Sequence, residues 1–275
     1  MAIRIWHQSM TVLEERPGYA RLLGEHIRKV CDEQTLVDLH GLTPGTYPLG
    51  VDPFELAGLA REHYLEQQIV ENALRAEREG YDAFAMTCFS DPKLDLCRSL
   101  VSIPVLSAFE TSLLTASTSA KKFGILVPDP AFCHFFRDLA TSHGFGQRIA
   151  TVAGCSPALT ETEIERGFDG DPALIERLNV DMQSMARAGA DIVIPAEGVL
   201  NAMLVQNGVS NVDGLPVFDA IGALFAHAEM MVKLQRRTGL RNSKTGGYRR
   251  PSPEMLRHLR SCAARTLEEA AELDT

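Results

Sequence analysis

Short apolar runs alternate with longer segments of helical spacing over most of the chain. Segments 3–7, 35–40, 82–88 and 104–107, and then 123–127, 149–153, 191–197 and 216–220, are dominated by Ile, Val, Leu, Phe and Ala. Near-continuous apolar strands belong to parallel sheets covered on both faces. Stretches 55–79, 130–143, 172–188 and 221–237 carry apolar residues at helical spacing, and Gly80, Gly144 and Gly189 follow the first three. A glycine there fits the left-handed residue that closes a helix. The alternation predicts an α/β fold of parallel strands joined by crossover helices.

The pattern also repeats. Arg78-Glu79-Gly80-Tyr81-Asp82-Ala83-Phe84-Ala85-Met86-Thr87-Cys88 matches Arg187-Ala188-Gly189-Ala190-Asp191-Ile192-Val193-Ile194-Pro195-Ala196-Glu197 at a constant offset of 109 residues, with Arg, Gly and Asp identical. Each copy leads through a polar turn and a further helix to a segment beginning Pro-Val, at Pro104 and Pro216. Segments 3–7 and 123–127 correspond as opening strands. Two pseudo-symmetric, Rossmann-like halves are predicted, residues 1–120 and 121–238, with 239–275 as an extension holding a short amphipathic helix over 253–272.

Open parallel sheets bind ligands beyond the carboxyl ends of their strands. Cys88 ends its predicted strand and Glu197 ends the matching one. If the halves face each other, both side chains enter one active-site cleft.

Composition narrows the class. The chain is 45% hydrophobic and 23% charged, ordinary for a folded globular protein. No apolar run reaches the length of about 18 residues that a membrane span needs. Met1 leads directly into Ala2-Ile3-Arg4-Ile5-Trp6, without the basic start of a secretory signal, so a cytoplasmic location is expected. A net charge of −9 argues against general nucleic-acid binding. The six cysteines are scattered, with no Cys-x-x-Cys and no His/Cys ligand spacing, so neither a metal site nor a disulfide framework is expected. Gly246-Gly247 lacks the Lys-Ser/Thr of a phosphate loop and the spacing of a dinucleotide site.

Several of these motifs are familiar together. Gly80-Tyr81-Asp82-Ala83, Cys88-Phe89-Ser90-Asp91-Pro92 with Leu94, Pro104-Val105 and Phe123-Gly124-Ile125-Leu126-Val127 resemble the hydantoin-racemase branch of the aspartate/glutamate/hydantoin racemase superfamily, over residues 1–238. The Cys-Phe-x-Asp-Pro element is the most specific part. The resemblance implies a cofactor-free enzyme, a small-molecule substrate and a homo-oligomer. It also implies a cysteine in each half, one removing a proton at the stereocentre and the other returning one to the opposite face. Maleate isomerases and arylmalonate decarboxylases are relatives, so fold alone does not fix the reaction. In this chain the second cysteine is missing. Both the repeat and the family match put Glu197 in its slot, which excludes a two-thiol racemase and leaves a thiol/carboxylate pair.

A thiol near pKa 8.5 and a carboxyl near 4.3, as ordinary side chains, supply about one acid and one base at neutral pH. Racemisation beside a carbonyl would use Glu197 to take a proton and Cys88 to give one. A second chemistry stays open: Cys88 as nucleophile on an amide, imide or ureido carbonyl, with Glu197 as general base. Thiolate addition for cis–trans isomerisation, decarboxylation and a non-catalytic ligand-binding role complete the alternatives. Candidate substrate contacts are His7, Gln8 and Ser9 at the end of the first strand, with Phe89 and Ser90 beside Cys88. Glu110, Pro128 and Gly198 join them. Ser90 is expected to offer its N–H to an anion or to cap the next helix, and turn amides at helix starts are expected beside Cys88. Glu161, Glu163 and Glu165 read as a solvated helix start.

Overall fold

The protein is described by a computed structural model covering residues 2–48, 51–56 and 58–273. Position 57 of the stretch predicted helical over 55–79 lies outside the described residues, as do both chain ends, residue 1 and residues 274–275.

Strand β1 (Ile3–Gln8) leads through α1 (Pro17–Val30) to β2 (Thr35–His40), which lies parallel beside it. Proline at the first helical position presets φ for α1. Tyr19, Leu22, Leu23 and Ile27 then fall on one buried face. Helix α2 (Leu59–Arg78) returns the chain to β3 (Ala83–Met86) on the other side of β1. Helix α3 (Leu94–Leu100) leads on to β4 (Val105–Ser107), which pairs with β3 and runs into α4 (Ala108–Ala116). The order is β2-β1-β3-β4, all parallel.

A second parallel sheet follows. It contains β5 (Phe123–Val127), β6 (Ile149–Gly154) and β7 (Ile192–Pro195) in the order β6-β5-β7. Helices α5 (Cys133–Ser142), α6 (Glu161–Arg166) and α7 (Pro172–Arg187) occupy the crossovers. Helix α8 (Gly198–Gln206) and a small antiparallel hairpin, β8 (Asn211–Val212) with β9 (Leu215–Pro216), precede α9 (Ala220–Thr238). Leu224, Phe225, Ala228 and Val232 are buried on α9, which packs back against α1, α4 and the first sheet. One apolar cluster therefore runs through both sheets.

The repeat has a structural cause. Gly80 and Gly189 adopt φ of 78° and 91°, conformations that cost a residue with a Cβ. The next residues close the same turn, Tyr81 N–H on Ala76 O at 3.0 Å and Ala190 N–H on Met185 O at 3.0 Å. Asp82 Oδ2 accepts the Arg4 N–H at 2.9 Å, and Asp191 Oδ2 accepts the Lys122 N–H at 3.0 Å. Each aspartate thus anchors its strand to the start of the neighbouring one.

Departures from the sequence expectation are local. The predicted strand over 216–220 is reduced to the two residues of β9 and a bridge between Val217 and Val193, because Asp219 accepts the Gly222 N–H and starts α9. Strands β3 and β7 end two residues before Cys88 and Glu197, which stand in the turns beyond them. The helical stretch over 130–143 begins as a single tight turn, Pro130–Phe132, before α5. In the extension, Lys244 Nζ donates to the carbonyls of Arg98, Ser99 and Val101 at 2.6, 3.0 and 2.6 Å. That cation covers the carboxyl end of α3. Beyond it lies α10 (Pro253–Leu273).

Candidate active site

Four strand ends converge. Ser9 follows β1, Cys88 follows β3, Pro128 follows β5 and Glu197 follows β7, and all four line one cavity of about 480 Å³. β1, β3 and β5 are the inner strands of the two sheets and β7 lies beside β5, so the cavity lies beyond the carboxyl ends of parallel strands, where ligands are expected in open α/β folds. Phe54, Phe89, Phe132 and Phe135 supply an apolar wall. Phe54 and Phe132 meet edge-on with centroids 6.0 Å apart.

Cys88 is half-buried, with Sγ 3.1 Å from Ser90 Oγ. The turn after it is wide: Asp91 and Lys93 have φ of 51° and 49°, and Lys93, with no side-chain cap, precedes α3. The expected cap from Ser90 is therefore replaced by a hydroxyl–thiol contact. The expected helix start beside Cys88 lies further on, because the left-handed residues lengthen the turn. Asp91 Oδ2 is instead 2.7 Å from Nε2 of His143, the C-cap residue just beyond α5, which ties this turn to the second sheet's helices.

Glu197 differs sharply. It is itself the N-cap of α8, with Oε2 accepting the Leu200 N–H at 2.6 Å. Burial nevertheless raises its pKa above the ordinary carboxylate range, against the backbone N–H groups of Val199, Leu200 and Gly198 that favour the anion. Gly198 follows because nothing larger fits: a Cβ there would stand 2.8 Å from Tyr19 Oη and 3.2 Å from Thr87 O. Tyr19 is fully buried and lines the cavity.

The cavity lining contains Ser9, Cys88, Phe89, Ser90, Pro128, Glu197 and Gly198 of the residues expected from sequence. His7, Gln8 and Glu110 are not in it. β1 is flanked by strands on both sides and covered on both faces, so His7 and Gln8 are buried in the protein. Burial, with His40 adding, lowers His7 to about 3, and its Nε2 lies 2.9 Å from Thr87 Oγ1. Gln8 accepts from Trp6 Nε1 at 3.1 Å and from Asn72 Nδ2 at 3.0 Å, while donating to Ser9 O at 2.8 Å. Glu110 forms a two-pronged ion pair with Arg98.

Sequence reasoning missed a second carboxyl. Glu161, at the start of α6, is buried and lines the cavity. Burial raises its pKa, with the charge of Glu197 adding to the effect and Arg16 opposing it. Among the described residues, no group of three or more His, Cys, Asp or Glu side chains is arranged to hold a metal ion. Nor is any of the described helices long and apolar enough to cross a membrane.

Residues 20–237, which hold Cys88, Glu197 and every strand of the two parallel sheets except β1, match the family model for Asp/Glu/Hydantoin racemase. The chain belongs to the Asp/Glu/hydantoin racemase family. It is 25% identical over 248 residues to a hydantoin racemase of Paenarthrobacter aurescens, covering 88% of this chain and 98% of that one. A hydantoin racemase of Pseudomonas sp. strain NS671 is 26% identical over 185 residues, covering 66% and 70%. An allantoin racemase from Klebsiella pneumoniae shares the fold with a TM-score of 0.75 at 22% identity, covering 91% of this chain and 94% of that one. The racemase family fold thus carries, in this chain, a thiol and a carboxyl at matching strand ends.

Proposed function

We propose that this family member is a cofactor-independent racemase or isomerase of a small amino-acid-derived or hydantoin-like molecule, acting at the carbon beside a carbonyl. The observation that carries the reading is the opening of Cys88 and Glu197, one from each sheet, into the same cavity. In this reading, residues 1–120 and 121–238 are two halves that each bring one proton carrier.

The Glu197 carboxylate takes the proton from the substrate carbon, and the electron pair moves onto the carbonyl oxygen as an enolate. The Cys88 thiol then delivers its proton to the opposite face. The C–H bond broken on one side is replaced by one formed on the other, leaving Glu197 protonated and Cys88 as thiolate. The reverse direction starts from that state. The Leu200 N–H on Oε2 fixes the carboxyl, leaving Oε1 as the base. Burial of Glu197 moves its pKa toward the operating pH, where a general base is most effective. The apolar wall of Phe54, Phe132 and Phe135 suits the side chain carried by the stereocentre.

The test is incubation of single enantiomers of substituted hydantoins in D2O. Loss of optical rotation together with deuterium at the ring carbon is expected. Ring opening or a persistent adduct on Cys88, without deuterium at carbon, would overturn the racemase reading in favour of Cys88 as nucleophile.

A further inference from the structure

The acid–base pair leaves Glu161 without a task. Its side chain is 5% exposed in the cavity that holds Cys88 and Glu197. It is not needed to start its helix, because Thr160 and Glu163 form a reciprocal capping box. Its own N–H is taken by Asp52 Oδ2 at 3.1 Å. Among the described residues, Oε2 accepts no hydrogen bond. Arg16 Nη2 stands 3.7 Å away, beyond hydrogen-bond reach, while Arg16 Nη1 is 3.2 Å from Glu165. A buried acceptor left without a donor is costly, so a retained one calls for an explanation.

The rest of the lining indicates what would supply the donor. Glu66 and Glu197 line the cavity with Glu161, and neither Lys nor Arg is among the described lining residues. Lys93 Nζ, 3.1 Å from Glu66, and Arg16 beside Glu161 offset part of that charge from outside the lining, so the cavity presents carboxyl oxygens chiefly as hydrogen-bond acceptors.

We propose that Glu161 determines specificity by hydrogen-bonding the amide edge, N–H beside C=O, of an uncharged substrate. The inference rests on the reading of Cys88 and Glu197 as the acid–base pair. A carboxylate accepts the N–H; a protonated carboxyl also offers O–H to the neighbouring carbonyl. Burial and the nearby Glu197 favour the protonated form.

The experiment measures binding by calorimetry and racemisation by optical rotation for wild type, Glu161→Gln and Glu161→Leu. The probes are a benzyl-substituted hydantoin, its two N-methyl derivatives, and maleate. In wild type, one N-methyl derivative should bind about ten- to a hundredfold more weakly than the parent, the loss expected for one unmatched buried acceptor. Glu161→Leu should bind the parent correspondingly weakly and lose that discrimination. Glu161→Gln, which keeps a donor and an acceptor, should stay within a few-fold of wild type. The proposal is overturned if neither methyl group weakens binding to wild type, a result that does not depend on any variant folding. Equal losses in the Gln and Leu variants would also overturn it, as would maleate binding more tightly than the hydantoin. Selective binding without racemisation supports this proposal and removes the acid–base reading. Racemisation without N–H selectivity does the reverse.

Discussion

Cys88 and Glu197 stand at the same point in the two sheets, each two residues beyond its strand. The residue before each makes the same bond: Thr87 N–H donates to Gln8 O at 2.9 Å, and Ala196 N–H donates to Leu126 O at 2.8 Å. Both side chains thus leave a position fixed by the neighbouring central strand, which is the rigidity that proton transfer between set points requires.

Cys88→Ser should lower racemisation by about 10²- to 10⁴-fold, because a hydroxyl is a far weaker acid than a thiol. The melting temperature should change little, since Ser fits the same turn. Substitution of Cys31 should leave turnover within a few-fold; burial pushes that thiol up to about 12, and it lies outside the cavity lining. Comparable turnover in Cys88→Ser and wild type would make Cys88 structural.

Glu197→Gln keeps an oxygen for the Leu200 N–H, so α8 should remain capped. The variant should wash deuterium from solvent into one enantiomer only, through Cys88, and interconvert neither. Glu197→Cys should restore two-sided exchange while losing part of the cap, at a cost of about 1 kcal/mol in stability. Mass spectrometry and polarimetry in D2O read both outcomes. Undiminished racemisation by Glu197→Gln would eliminate the carboxyl as base.

The sheets and the position of Cys88 were legible because both are written locally. Apolar runs specify buried strands, and the Gly-x-Asp element specifies a turn and an anchor in both copies. Glu161 was not legible. With Glu163 and Glu165 it has the pattern of a solvated helix start, and the residues it meets in the fold, Asp52 and Arg16, are distant in sequence. His7 and Gln8 misled for the opposite reason: a polar strand end faces a ligand only where the fold leaves it uncovered. The Arg98–Glu110 pair, by contrast, joins two helices close in sequence and could have been weighed from spacing alone.

Gly198 predicts a coupled effect. A methyl group there would meet Tyr19 Oη at 2.8 Å and the Thr87 carbonyl at 3.2 Å. Gly198→Ala should therefore destabilise the protein by about 1–3 kcal/mol, the usual range for overpacking. Removing the hydroxyl with Tyr19→Phe should recover part of that loss, so the double variant should be less destabilised than the two single changes predict. Denaturant melts of the four proteins measure the coupling, and strict additivity would mean that the two groups do not meet.

The buried carboxyls set a pH dependence of stability. Burial raises both Glu161 and Glu197 above the ordinary carboxylate value of about 4.3. Asp52 and Glu165 add negative charge near Glu161, and Arg16 partly offsets it. Between the unfolded and folded values, the native state holds more protons than the unfolded state, so unfolding free energy falls as pH rises. The stabilisation present below the unfolded value is lost as pH climbs through the folded values. Glu161→Gln removes one ionisation and should release part of this dependence. Its melting temperature relative to wild type should rise between pH of about 5 and 9, with the steepest change above the usual carboxylate range. Thermal melts of the two proteins across that interval decide it. A difference that stays flat, or that shrinks as pH rises, would mean that Arg16 holds Glu161 ionised and that burial does not control its proton.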